Sequence, residues 1–193
     1  MSNEKYYIIS SSFHDVDGMM LGNMPDLPDD MEDDWMFGQQ FSIEPEEPIT
    51  IGIQEGNEHC TPLPFYRSPP IATQALIDAL AEVGVDNIVT YDVILKSRTA
   101  PSIMISGYKA INVIGLIKAT RDGTVCLTDS QIGDASTSMK NITLEPSLTK
   151  GLYMFRLAES MRTIVVHEKV KQHLESKCFK CLKFTEVDEA FLL

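Results

Sequence analysis

The chain has 193 residues, 44% of them hydrophobic, enough to bury one core without disulfide staples, and a formal net charge of −12. That charge is segregated: residues 1–60 carry 14 Asp and Glu against one Lys, a net of −13, whereas residues 61–193 carry 14 acids against 15 Lys and Arg, a net of +1. Phosphate binding needs a clustered basic footprint that is missing here, so direct nucleic-acid binding is not expected and a basic partner fits better.

The opening MSNEKYYIISSSF has an apolar run too short for a signal peptide, and nowhere do about 18 apolar residues run together. A soluble, cytoplasmic product with no membrane contact is expected. KYYIISSSF, residues 5–13, reads as a short strand. The following HDVDGMMLGNMPDLPDDMEDD has neither helical nor alternating period, contains two prolines three residues apart, and reads as loop. Beyond Trp35, apolar residues at Phe41, Ile43, Ile49, Ile51 and Ile53 predict an extended pass interrupted by Pro45 and Pro48, then a short strand.

From residue 70 the sequence repeats. A shift of 94 positions lays residues 70–93 on 164–187 without a gap, pairing Ile71 with Val165, Leu76 with Val170, Leu80 with Leu174 and Val93 with Val187. Each copy reads as an entry segment, a helix of about three turns and a strand. In the first, Leu76, Ile77, Leu80 and Val83 form one apolar stripe, and Gly84 stands where a left-handed C-terminal cap belongs. Two copies are too few for a solenoid.

Between them, GYKAINVIGLIKA (107–119) predicts a central strand buried on both faces. Residues 121–141 are polar and turn-rich, and GLYMFRLAE (151–159) alternates. The fold expected is α+β: a single domain over 1–193 with a mixed β-sheet, two packed helices in a duplicated helix–strand arrangement (70–95 and 164–188), and an acidic strand and loop region over 1–60.

No cofactor, metal or catalytic group emerges. His167 and His173, six residues apart, point to different faces of a helix, and Cys178 with Cys181 is a lone CxxC lacking a full ligand set. The four cysteines are expected to be reduced thiols. DVDG at 15–18 lacks the Glu that a calcium loop needs at its twelfth place. His59 and Cys60 are adjacent, and in an extended segment they would face opposite sides. An enzyme is therefore not expected.

The block GLYMFRLAESMRTIVVHEKVKQHLESKCFKCLKFTEVD (151–188) resembles the closing block of a family of bacterial polymorphic-toxin immunity proteins, immunity protein eleven, with FRLAE its most specific piece. Trp35 with Gly38, PLPF at 62–65, the block at 70–95 and INVIG at 111–115 follow the same order, so the likeness spans about residues 35–188. The resemblance implies a non-catalytic protein that docks on a cognate toxin effector domain and blocks it. A nuclease toxin carries a basic face, to which Asp26, Asp29, Asp30, Glu32, Asp33 and Asp34 offer competing negative groups. These acids read either as toxin contacts or as a solvated loop, and Trp35 either as an interface anchor or as core. The alternative is an acidic interaction or scaffold protein, or a nucleic-acid mimic, for another basic partner.

Overall fold

The computed structural model describes residues 4–25, 35–118, 125–126, 139–140 and 143–190. The unbroken run Tyr6, Tyr7, Ile8 and Ile9, buried on both faces, makes strand β1 (Tyr6–Ser11), and the Ile49/Ile51/Ile53 alternation makes β2 (Ile49–Ile53). Next come β3 (Phe65–Tyr66), β4 (Ile71–Thr73), helix α1 (Gln74–Glu82), β5 (Ile88–Ser97) and β6 (Met104–Val113). The rest is β7 (Leu116–Ile117), β8 (Val125–Cys126), β9 (Met139–Lys140), β10 (Met154–Leu157), β11 (Ser160–His167), helix α2 (Glu168–Ser176) and β12 (Leu182–Glu186).

The fold is α+β and mostly strand, but the single mixed sheet expected from the sequence is two. One has the order β2-β5-β6-β4-β3, the other β12-β1-β11-β10-β7, and β8 pairs with β9 in a separate ribbon. Each five-stranded sheet is mixed through one parallel pair, β2 with β5 and β7 with β10. The division falls inside the apolar run 107–119. Its first part is the central strand of the first sheet, as expected, but Gly115 at φ 129 breaks the run and passes Leu116 and Ile117 to the edge of the second. Asn87 fastens this corner, its Nδ2 donating to the carbonyls of Ile114 (2.6 Å) and Met154 (2.8 Å).

The 94-residue offset lays α1 on α2 end for end, and β4 and β5 on the end of β11 and the start of β12. In each unit the strands flanking the helix are parallel to one another with a third strand between them, β6 in one and β1 in the other, antiparallel to both. The C-terminal caps also correspond. Gly84 (φ 92) and Cys178 (φ 56) both turn left-handed, and their N–H groups donate to Ala81 and Glu175.

One apolar core lies between the sheets and takes residues from both, with Leu76, Leu80, Val170 and Leu174 supplied by the helices. The opposite face of the first sheet is covered by Met19, Leu21, Trp35 and Phe41 from the long connection between β1 and β2. Beneath the second sheet Ile8, Phe155, Leu157 and Val187 form a third cluster. Among the described residues no helix is long and apolar enough to cross a membrane.

Candidate protein-interaction surface

The sequence directs attention to the connection between β1 and β2. Asp26, Asp29, Asp30, Glu32, Asp33 and Asp34 lie outside the described residues, as does most of the turn-rich stretch 121–141. The chain on either side of the acids is described, and both sides are tied to the same face of the first sheet. On the N-terminal side, Leu21 bridges Ile53, Gly22 N donates to Gly52 O at 2.8 Å, and Met24 packs against the cluster beneath. On the C-terminal side stands Trp35.

Trp35 is 7% exposed. Its indole meets Phe41 edge-on at 4.8 Å between centroids and Tyr91 of β5 at 5.7 Å, and Phe41 stacks on Tyr91 at 5.8 Å. Of its two readings, core or contact, the free protein therefore uses the first. Burying this aromatic is how the end of the acidic stretch is held to the sheet.

The turn that follows is equally constrained. Gly38 has φ 65, its carbonyl accepts from Gly115 N at 2.7 Å, and a Cβ there would stand 2.8 Å from Leu116 N. Asn112 Nδ2 donates to Gln39 O at 2.7 Å, and Arg156 N donates to Gly115 O at 2.8 Å. Trp35–Gly38, INVIG and FRLAE, separate in sequence, thus meet at one structural junction. Arg156 itself is fully buried and donates from Nη1 to Met161 O at 2.9 Å. PLPF is structural too: Leu63 and Phe65 are buried, Leu63 N donates to the Tyr66 hydroxyl at 3.0 Å, and Tyr108 donates to Leu63 O at 2.7 Å.

Outward-facing groups on this connection include several the sequence did not single out. Phe37 is 39% exposed and Ile43 57%, with Glu44 and Glu46 exposed beside them. Period alone places Phe41 and Ile43 on one extended pass, but one is buried and the other faces solvent. The chain bends at Ser42 and Ile43, which breaks the alternation, and an apolar residue set among acids gives no further sign of its direction. Glu44, Glu46 and Glu55 make no ion pair with the described residues. Other acids of the region do structural work. Asp15 pairs with Lys183 at 3.6 Å, Glu47 accepts from Asp92 N, and Glu58 accepts from Ser97 (2.8 Å) and Thr99 (2.5 Å). Those hydroxyl donors, with backbone N–H groups, lower the Glu58 carboxyl to about 2.

The histidines and thiols at the second helix hold no common site. His167 caps α2, its Nδ1 accepting from Lys169 N at 3.1 Å, and burial lowers its pKa. His173 instead meets Glu82 of α1 at 3.0 Å, where Lys177 also binds at 2.6 Å. Cys60, Cys178 and Cys181 are free thiols.

Compared with known proteins, the chain matches no family model and no curated protein in sequence.

Proposed function

We propose that this chain is a cytoplasmic immunity protein that binds a cognate toxin effector domain, a basic nuclease, and neutralises it by occlusion without catalysis of its own. The observation that carries the reading is the placement of charge: a net of −13 in residues 1–60, with Leu21, Met24 and Trp35 on either side of the acidic stretch packed in one cluster against the first sheet. Negative charge concentrated on one part of a protein favours encounter with a basic partner. Phe37 and Ile43 give the same connection exposed apolar groups that a partner can desolvate, the interface role that Trp35, being buried, leaves open. The likeness of residues 35–188 to immunity protein eleven supports the same class, and the repeated split units fit descent of the fold from one duplicated helix–strand unit.

Co-expression with the toxin domain encoded beside its gene is the test. Cells making both should survive where cells making the toxin alone die. Killing that persists while the protein is abundant and folded would overturn the assignment, and would leave the acidic scaffold or mimic reading in its place.

A further inference from the structure

The loop after β1 and the turn after β2 bring together Asp17, His59 and Cys60. A carboxylate oxygen, an imidazole nitrogen and the thiol sulfur all lie within 4.8 Å of one another. In sequence the His59–Cys60 pair looks divergent only if the segment is extended. It is a turn, with Cys60 N donating to Asn57 O at 3.0 Å, so the neighbouring side chains converge. Asp17 reaches them from a left-handed residue, φ 50, a conformation Asp tolerates better than most.

The two loops are locked to each other by main-chain bonds. Thr61 N donates to Asp17 O (3.0 Å), Met19 N to Thr61 O (2.8 Å) and Gln54 N to Met20 O (3.0 Å). We propose that Asp17, His59 and Cys60 bind a zinc ion through one oxygen, one nitrogen and one sulfur ligand, leaving a fourth position for water or a donor from a bound partner.

The donor set selects the metal. Calcium and magnesium take oxygen ligands, whereas zinc takes thiolate, imidazole and carboxylate together, at about 2.3, 2.0 and 2.1 Å. Tetrahedral ligands at those lengths stand roughly 3.3–3.6 Å apart. Side-chain rotation of the exposed Asp17 and His59 supplies the remaining approach from 4.8 Å. In the metal-free protein the Cys60 thiol donates to Asn57 Oδ1 at 3.7 Å, a contact given up when the sulfur loses its proton to bind zinc. Glu58, the next carboxylate along, is committed to Ser97 and Thr99.

Zinc binds the thiolate, so the Cys60 proton leaves for solvent as the Zn–S bond forms. The ion would pin the start of the long β1–β2 connection to the turn after β2. Zinc binding is independent of the toxin-binding reading.

The test is a Co²⁺ and Zn²⁺ titration of the reduced full chain carrying Cys126→Ser, Cys178→Ser and Cys181→Ser, in which Cys60 is the last thiol. One equivalent of Co²⁺ should produce a thiolate-to-metal charge-transfer band, with one proton released, and Zn²⁺ should displace it. Further change of Cys60→Ser should abolish the band. Asp17→Asn and His59→Ala should each weaken zinc by more than the ~100-fold that loss of an outer-shell partner alone can cost. If the triple variant does not fold, the wild-type chain against Cys60→Ser alone decides the same question by the loss of that band. Absence of the band, or a band and affinity indifferent to Asp17→Asn and His59→Ala, would overturn the site.

Discussion

Gly38 shows at residue scale how the acidic connection is held in place. Its left-handed backbone costs an L-residue about 1–2 kcal/mol, and a methyl group there would also press on Leu116 N. Gly38→Ala should therefore destabilise the fold by about 2 kcal/mol or more in urea unfolding. Gly56→Ala, at φ 81 with no atom near its Cβ, should lose only the backbone part. Equal losses at the two positions would mean that the Gly38–Leu116 approach is not tight. His167 gives a pH prediction. Burial disfavours its imidazolium despite Glu4 and Glu168 nearby, so its folded pKa lies below the ordinary 6.5. As pH falls below 6.5 the unfolded chain takes up the proton first, and the stability tied to neutral His167 is present above that pH and lost beneath it. His167→Asn keeps an acceptor at the helix cap without the titration, and should flatten the decline in melting temperature below pH 6.5. An unchanged decline would assign it to other groups. Sequence makes Trp35 legible as a large aromatic needing a burial site, but not its partners. Phe41 and Tyr91 meet it only through the fold, Tyr91 from a strand far along the chain. The convergence of His59 and Cys60 escapes the sequence for a plainer reason: facing rules for strands do not hold in turns.

At the scale of elements, periodicity carries the helices well. The stripe Leu76, Leu80 and the glycine at 84 mark both ends of α1, and the 94-residue offset carries the same ends to α2. The correspondence also exposes a weakness. Where α1 has Gly84 in the left-handed cap, α2 has Cys178. Cys178→Gly should raise stability by about 1 kcal/mol, read as a higher urea midpoint at unchanged slope. A loss of stability would mean that the thiol's contact with Ser176 O at 3.8 Å matters more than the backbone. What periodicity cannot carry is the number of sheets. An apolar run reads the same whether it stays in one sheet or crosses to another, and Gly115 is the single local sign of the corner.

At the scale of the whole molecule, the division of charge is legible from composition alone, while its attachment is not. The acids sit on a connection whose two ends cover one face of the first sheet. Trp35–Gly38, INVIG and FRLAE meet at the junction of Gly38, Gly115 and Arg156, where their main-chain bonds and buried side chains hold the two sheets together. The most direct measurement is the association rate of the proposed toxin partner with the wild-type chain and with a variant in which Asp29, Asp30, Glu32, Asp33 and Asp34 are changed to Lys, across a salt series. Steering by this charge predicts a rate at least about tenfold slower for the variant at low salt, with most of the salt dependence gone. Equal rates and equal salt dependence would contradict it.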